Sequence, residues 1–169
     1  MDKRAVIAIA AVIIIIAAGV PAYLYLSSYN DGTISLSAAD APIMGGMSAV
    51  YITFSEIAMH SNGSSWSNFS ISATTVNILN VSENASAFFS SISLPAGKYT
   101  MMRIMIQSVS VMILGNNVSF NLASHWGFVN HPFLVNPHST LNVVLEFNLN
   151  ECLNMQSKMF TPYVGVFVS

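Results

Sequence analysis

The chain has 169 residues, of which 53% are hydrophobic and only 7% charged, and its five bases and seven acids leave a net charge of −2. So small a charge, with no basic cluster, excludes an electrostatic footprint for nucleic acid or for an anionic membrane surface. The single cysteine, Cys152, excludes an internal disulfide and leaves a core-held fold, with a buried thiol or an intermolecular bridge as the options for its sulfur.

The first element is the uncharged run from Ala5 to Leu26. At about 1.5 Å of rise per residue, a helix of that length crosses the roughly 30 Å hydrocarbon core of a bilayer. Lys3 and Arg4 precede it, and basic residues resist translocation, so the N-terminus is expected in the cytoplasm and the rest outside. The expected organisation is a cytoplasmic stub over residues 1–4, a transmembrane helix over 5–26, a polar linker over 27–32 and one outward-facing domain over 33–169. Every serine and asparagine lies beyond the helix. Neutral groups therefore supply the domain's polarity, and a surface with few titrating groups is expected to respond little to pH or salt.

Within the domain, Thr33 to Ser37 reads as a short strand, and Asp40 before Pro42 as turn chemistry. Val50, Ile52 and Phe54 alternate with Tyr51, Thr53 and Ser55, the period of a half-buried strand. After Glu56 the apolar phase slips to Ile57 and Met59, which points to a β-bulge or a change of environment. A loop from His60 to Ser67 precedes a hairpin partner at Trp66 to Ile71, and Thr75 to Val81 is a further β-prone segment. Glu83 to Ser91 is expected to be a short helix. Lys98 to Leu114 is the longest run, apolar on both faces and so expected in the middle of a packed sheet. A Gly115-Asn116-Asn117 turn leads into Val118 to Leu122, and Leu141 to Leu149 and Tyr163 to Val168 supply the last strands. Seven or eight short strands in one domain predict an all-β fold, an antiparallel β-sandwich behind one N-terminal transmembrane helix.

The order of these pieces resembles a known family. Ile34-Ser-Leu-Ser, Asp40-Ala-Pro, Val50-Tyr-Ile-Thr-Phe-Ser-Glu-Ile ending in His60, Trp66, Val76-Asn-Ile-Leu, Leu94-Pro-Ala-Gly-Lys-Tyr-Thr and Arg103 together are similar to the domain of unknown function 4382, found in archaeal and bacterial surface proteins. The resemblance covers roughly Thr33 to Phe147. It implies a β-sandwich outside the membrane and supplies no catalytic residues. Separately, Lys3-Arg4-Ala5-Val6-Ile7 resembles the short leader of archaeal type IV pilin-like proteins, which are cut just before the helix. An uncleaved anchor, pilin-type processing and removal as a secretory signal after Ala22 all remain open.

Chemistry-bearing groups are sparse. Five Asn-x-Ser sequons, at Asn62, Asn68, Asn80, Asn84 and Asn117, become glycosylation sites if the domain is exported. His125, His131 and His138 lie close enough in sequence to invite a metal reading, but their spacing matches no ligand set, and loop residues are the simpler account. Met101, Met102 and Met105 read first as core filler. No Gly-x-Ser-x-Gly, His-Glu-x-x-His or Gly-rich phosphate loop is present. Arg103, set among apolar residues, is expected to pair with Glu56 or Glu146 across the sheet. No cofactor and no catalytic residue is expected. The expectation is a non-enzymatic cell-surface protein acting by contact, as an adhesion, envelope or filament subunit, whose partners are membrane lipid and other membrane proteins or its own copies. An accessory subunit of a membrane redox complex and a copper-binding electron carrier are the alternatives.

Overall fold

The computed structural model describes residues 16–17, 30–40, 46–61, 65–79 and 86–169. Of the expected membrane helix only Ile16 and Ala17 fall within this set, and both are helical; the remainder of that expectation lies outside the described residues. Among the described residues no helix is long and apolar enough to cross a membrane.

In chain order the strands are β1 (Asp31–Asp40), β2 (Met47–Ser61), β3 (Trp66–Asn77), β4 (Ala87–Pro95), β5 (Gly97–Ile113), β6 (Asn116–Leu122), β7 (Trp126–Val129), β8 (Phe133–Val135) and β9 (Thr140–Phe147). A single helical turn, α1 (Leu149–Cys152), then precedes β10 (Leu153–Asn154), β11 (Met159–Phe160) and β12 (Val164–Val168). The fold is all-β in two sheets, one of four strands ordered β12-β9-β1-β4 and one of eight. The large sheet runs β10-β11-β6-β5-β2-β3, with β7 and β8 also paired to β5.

The sheets are not purely antiparallel, as expected, because β1 pairs in parallel with β9, and β11 with β6. Hairpins force antiparallel pairing only between consecutive strands, and both of these pairs join strands remote in the chain. The twelve strands among the described residues also exceed seven or eight, because the stretch around His125 and His131, expected as loop, contributes β7 and β8, and the chain after α1 adds the two-residue β10 and β11. β6, β7 and β8 together occupy one edge of β5, while β2 runs along the other. The central place expected for the Lys98 to Leu114 run is thus observed.

That strand is not apolar on both faces. Met102, Ile104 and Ile106 are buried, then Val109 and Val111, so the buried phase jumps by one residue. The jump coincides with shifts in the β2–β5 register between Thr53 and Phe54 and between Phe54 and Glu56. Each bulge inserts an unpaired residue and returns the apolar side chain to the core. The phase slip read around Glu56 is the same irregularity seen from β2, and the β2–β3 register breaks there too.

The expected helix at Glu83 to Ser91 is overturned for its described part, since Ala87 to Pro95 is β4. The β1–β4 register skips Phe89, which is buried with its ring centroid 4.4 Å from that of Phe54. Asp40 is the buried last residue of β1, beside Phe147 in the register, and the turn expected with Pro42 lies outside the described residues. The two segments expected at Trp66 and Thr75 are one strand, β3, antiparallel to β2. The β5–β6 turn is centred one residue earlier than expected, on Leu114 and Gly115, which both have positive φ, at 48° and 81°. Two left-handed residues are the requirement of a type I′ hairpin, and Gly115 meets it at no steric cost.

The core lies between the sheets. Phe54 of the large sheet sits 6.0 Å from Phe147 of the small one, and Phe147 sits 6.4 Å from Phe160, measured between ring centroids. Fully burying such a side chain stabilises the fold by about 1.5–3 kcal/mol. The Leu94-Pro-Ala-Gly-Lys-Tyr stretch is a structural clasp, because the Tyr99 hydroxyl donates to the Pro95 carbonyl at 2.8 Å while its ring stacks on Phe133.

Candidate functional site

The inner face of the large sheet is committed to the core, so contact chemistry must come from its outer face and from the seam between sheets. The register aligns Asn68, Ala58, Arg103 and Phe128 across β3, β2, β5 and β7. One row away lie Trp66, His60 and Met101, and on the other side Ser70, Glu56, Met105 and Trp126. Trp126 is therefore the diagonal neighbour of Arg103 on β7, and Trp66 stands two strands away on β3, beyond the short Ala58 of β2. The Arg103 guanidinium carbon lies 4.6 Å from the Trp66 ring centroid and 4.4 Å from that of Trp126. These are both of the chain's tryptophans. A flat, weakly hydrated cation suits two π faces better than an ammonium would.

This arrangement corrects the expected ion pair with Glu56 or Glu146. Arg103 Nε is buried without a hydrogen-bond partner, and ring faces stand where a carboxylate was expected. Ala58, on the same face, is fully buried, so the layer above it is closed. His60 flanks the stack, with Nδ1 2.9 Å from Thr100 Oγ1 and its ring 5.3 Å from Trp66.

Phe128 continues the aromatic surface and is 58% exposed. Beside it, where β12 leans on β7, a cleft of about 450 Å3 opens between the sheets, lined by Phe128, Glu146, Asn148, Glu151, Tyr163 and Gly165. Gly127 permits this approach, since a Cβ there would lie 2.8 Å from Val164 Cγ2. Gly165 pairs with Glu146, and an added Cβ there would meet Glu146 Oε2 at 3.4 Å, an ordinary van der Waals contact. Asn148 precedes α1 and donates from Nδ2 to Glu151 Oε1 at 3.0 Å, while its Oδ1 is buried with no hydrogen-bond partner. Tyr163 is 53% exposed. Behind it the buried Cys152 thiol donates to the Tyr163 carbonyl at 3.4 Å, and burial pushes that thiol up to about 11.

The sequence candidates are dispersed around this surface. His125 sits in the β6–β7 connection with Nδ1 3.0 Å from the Ile106 carbonyl. His131 is exposed between β7 and β8, and His138, at φ 54°, lies between β8 and β9. Among the described residues no group of three or more His, Cys, Asp or Glu is placed to hold a metal ion. Met59 and Met102 are core residues opposite one another, whereas Met101 and Met105 flank Arg103 on the outer face. Asn68 and Asn117 are exposed on β3 and β6; Asn62, Asn80 and Asn84 lie outside the described residues.

Sequence reasoning missed Trp126, Phe128 and Tyr163 as surface groups. The available signal was the alternation of Trp126 and Phe128 about Gly127, together with an arginine isolated in an apolar strand.

No curated protein and no solved structure matches the chain. A family model described as "Domain of unknown function (DUF4382)" does match, over residues 31–162, from the first residue of β1 to just short of β12. With most of its length and nearly all of its strands inside that match, the chain belongs to the DUF4382 family.

Proposed function

We propose that this protein is a non-catalytic contact module, tethered to a membrane by the Ala5 to Leu26 run and presenting its two-sheet domain on the outside. The observation that carries the contact reading is the outer face of the large sheet. There Trp66, Trp126 and Phe128 are gathered around Arg103, and Phe128 and Tyr163 stand more than half exposed at the neighbouring cleft. Exposed aromatic surface around a fixed cation is typical of recognition sites, where tryptophan, tyrosine and arginine dominate binding energy. The uncharged opening run and the Lys3-Arg4 pair support the tether and its orientation. Export would make the exposed Asn68 and Asn117 glycan acceptors, and processing of the pilin kind would turn the tether into a filament core.

The test is a C-terminal epitope on the full chain, followed in intact cells. The epitope should be lost to external protease, and the protein should stay in the membrane pellet after an alkaline wash. N-terminal sequencing should return Met1 or Asp2 for a plain anchor, and Val6 for pilin-type processing. A protected epitope, or a mature protein beginning near Tyr23, overturns the reading.

A further inference from the structure

We infer that the corner of the domain formed by Lys98, Pro132 and Leu134 rests on the bilayer, its partner being the lipid surface of the membrane that holds the opening run. The inference deepens the tether reading and rests on it. Its ground is where the domain begins and how little chain separates it from that run. β1 starts at Asp31, and the Asn30 carbonyl accepts from the Ala96 amide at 2.9 Å. That bond holds the entering chain against the β4–β5 turn, two residues from Lys98. From Leu26 to Asn30 there are four peptide steps, which extended chain spans in at most about 14 Å. The headgroup layer takes up about 5–8 Å of that reach, so this end of the domain stands within about 10 Å of the lipid surface.

The surface at that end has the chemistry of a lipid contact. Lys98 pairs with Leu134 in the β5–β8 ladder, and at the next position Tyr99 and Phe133 stack within the core, so Lys98 and Leu134 turn outward. Leu134 is 56% exposed, and with Lys98, Pro132 and Phe133 it lines a shallow recess of about 360 Å3. Apolar side chains held this close to a bilayer settle at the boundary of headgroups and acyl chains, and a lysine stem spans from there to a phosphate. Charge agrees with this, since the chain from Leu94 to Leu145 has no acid, and neither β5 nor β8 repels a phosphate. Asp31, the acid at this end, belongs to the small sheet, where Ser93 Oγ donates to it at 3.5 Å. With a single lysine the contact is apolar before it is electrostatic, so lipid without net charge suffices. Leu114 is also exposed, but it lies at the far end of the 17-residue β5, about 50 Å away.

The test places a nitroxide on the full chain in vesicles of zwitterionic phosphatidylcholine, through Leu134→Cys, Leu114→Cys or, in the opening run, Ile13→Cys. Wild type, whose Cys152 is buried, is the labelling control. Molecular oxygen concentrates in lipid and a nickel chelate in water, and each speeds the relaxation of a nitroxide it reaches. The label at 134 should favour oxygen and the label at 114 nickel. The preference at 134 should survive high salt, as an apolar contact does, and should weaken when Lys98→Glu removes the phosphate contact. Thermal melts establish that each variant is folded. A nickel preference at 134, equal behaviour at 134 and 114, or an oxygen preference lost in high salt overturns the inference. If the label at 13 lies in lipid, such a failure removes the lipid contact alone, whereas a label at 13 that faces water removes the tether and the inference with it.

Discussion

Cys152 illustrates how far one side chain's chemistry follows from its place. A thiol ordinarily ionises near 9, but burial, aided by the nearby carboxylates of Glu151 and Asp40, raises Cys152 to about 11. The unfolded chain loses this proton near 9 and the native protein keeps it to about 11, so between these values the unfolded state binds fewer protons. Stability is therefore full below 9 and declines as pH rises toward 11. Tyr99, also held above its usual value by burial and then by Asp31, acts in the same direction above 10. The measurement is denaturant unfolding of wild type and Cys152→Ala near pH 8 and near pH 11. Wild type should lose more stability between the two than the variant does, and an equal loss would assign the whole effect to other groups. Arg103 is the opposite case: its need for a partner was legible from its apolar neighbours, but the partner was not. A charge in an apolar strand can be met by a carboxylate or by π faces, and only the register across β3, β2, β5 and β7 brings one indole to it from each side.

Among the strands, the long apolar run located β5, and period-two alternation located β2, whose side chains have one buried face. It failed at β4, where serine and alanine carry little hydrophobic signal and a bulge turns Phe89 inward out of phase. The parallel β1–β9 pair was also illegible, since pairing between remote strands is decided by packing that no local pattern encodes. The cleft shares that origin, being made where β12 meets β7 over Gly127. Replacing Gly127 by alanine puts a Cβ 2.8 Å from Val164 Cγ2, inside van der Waals contact. The expected cost is about 1–3 kcal/mol, the range for overpacking, read as a lower melting midpoint. Val164→Ala in the same chain removes the opposing methyls and should recover part of that loss, giving a non-additive double-mutant cycle. Additive effects would mean that β12 does not press on β7 at this point.

For the whole molecule the question is which surface meets other copies or partners. Among the described residues β3 pairs only with β2, and Trp66 to Asn77 contains no charge and no proline. An exposed, neutral strand edge is a template for pairing with another chain. Some protection comes from the bulge opposite Ser55, where the register jumps from Ser70 to Thr74 and breaks the edge into two shorter stretches. Ala73 lies in that break, exposed and outside the ladder. A lysine there adds the missing charge without removing a ladder bond, and should change stability by no more than about 0.5 kcal/mol. Sedimentation of the full chain in detergent separates the sources of association, because wild type and Ala73→Lys carry the same opening run and the same aromatic face. If the β3 edge drives association, the variant should be the smaller species at equal concentration with an unchanged melting midpoint. If both sediment alike, the edge is already quiet, and copies or partners meet through the N-terminal run or the face around Arg103.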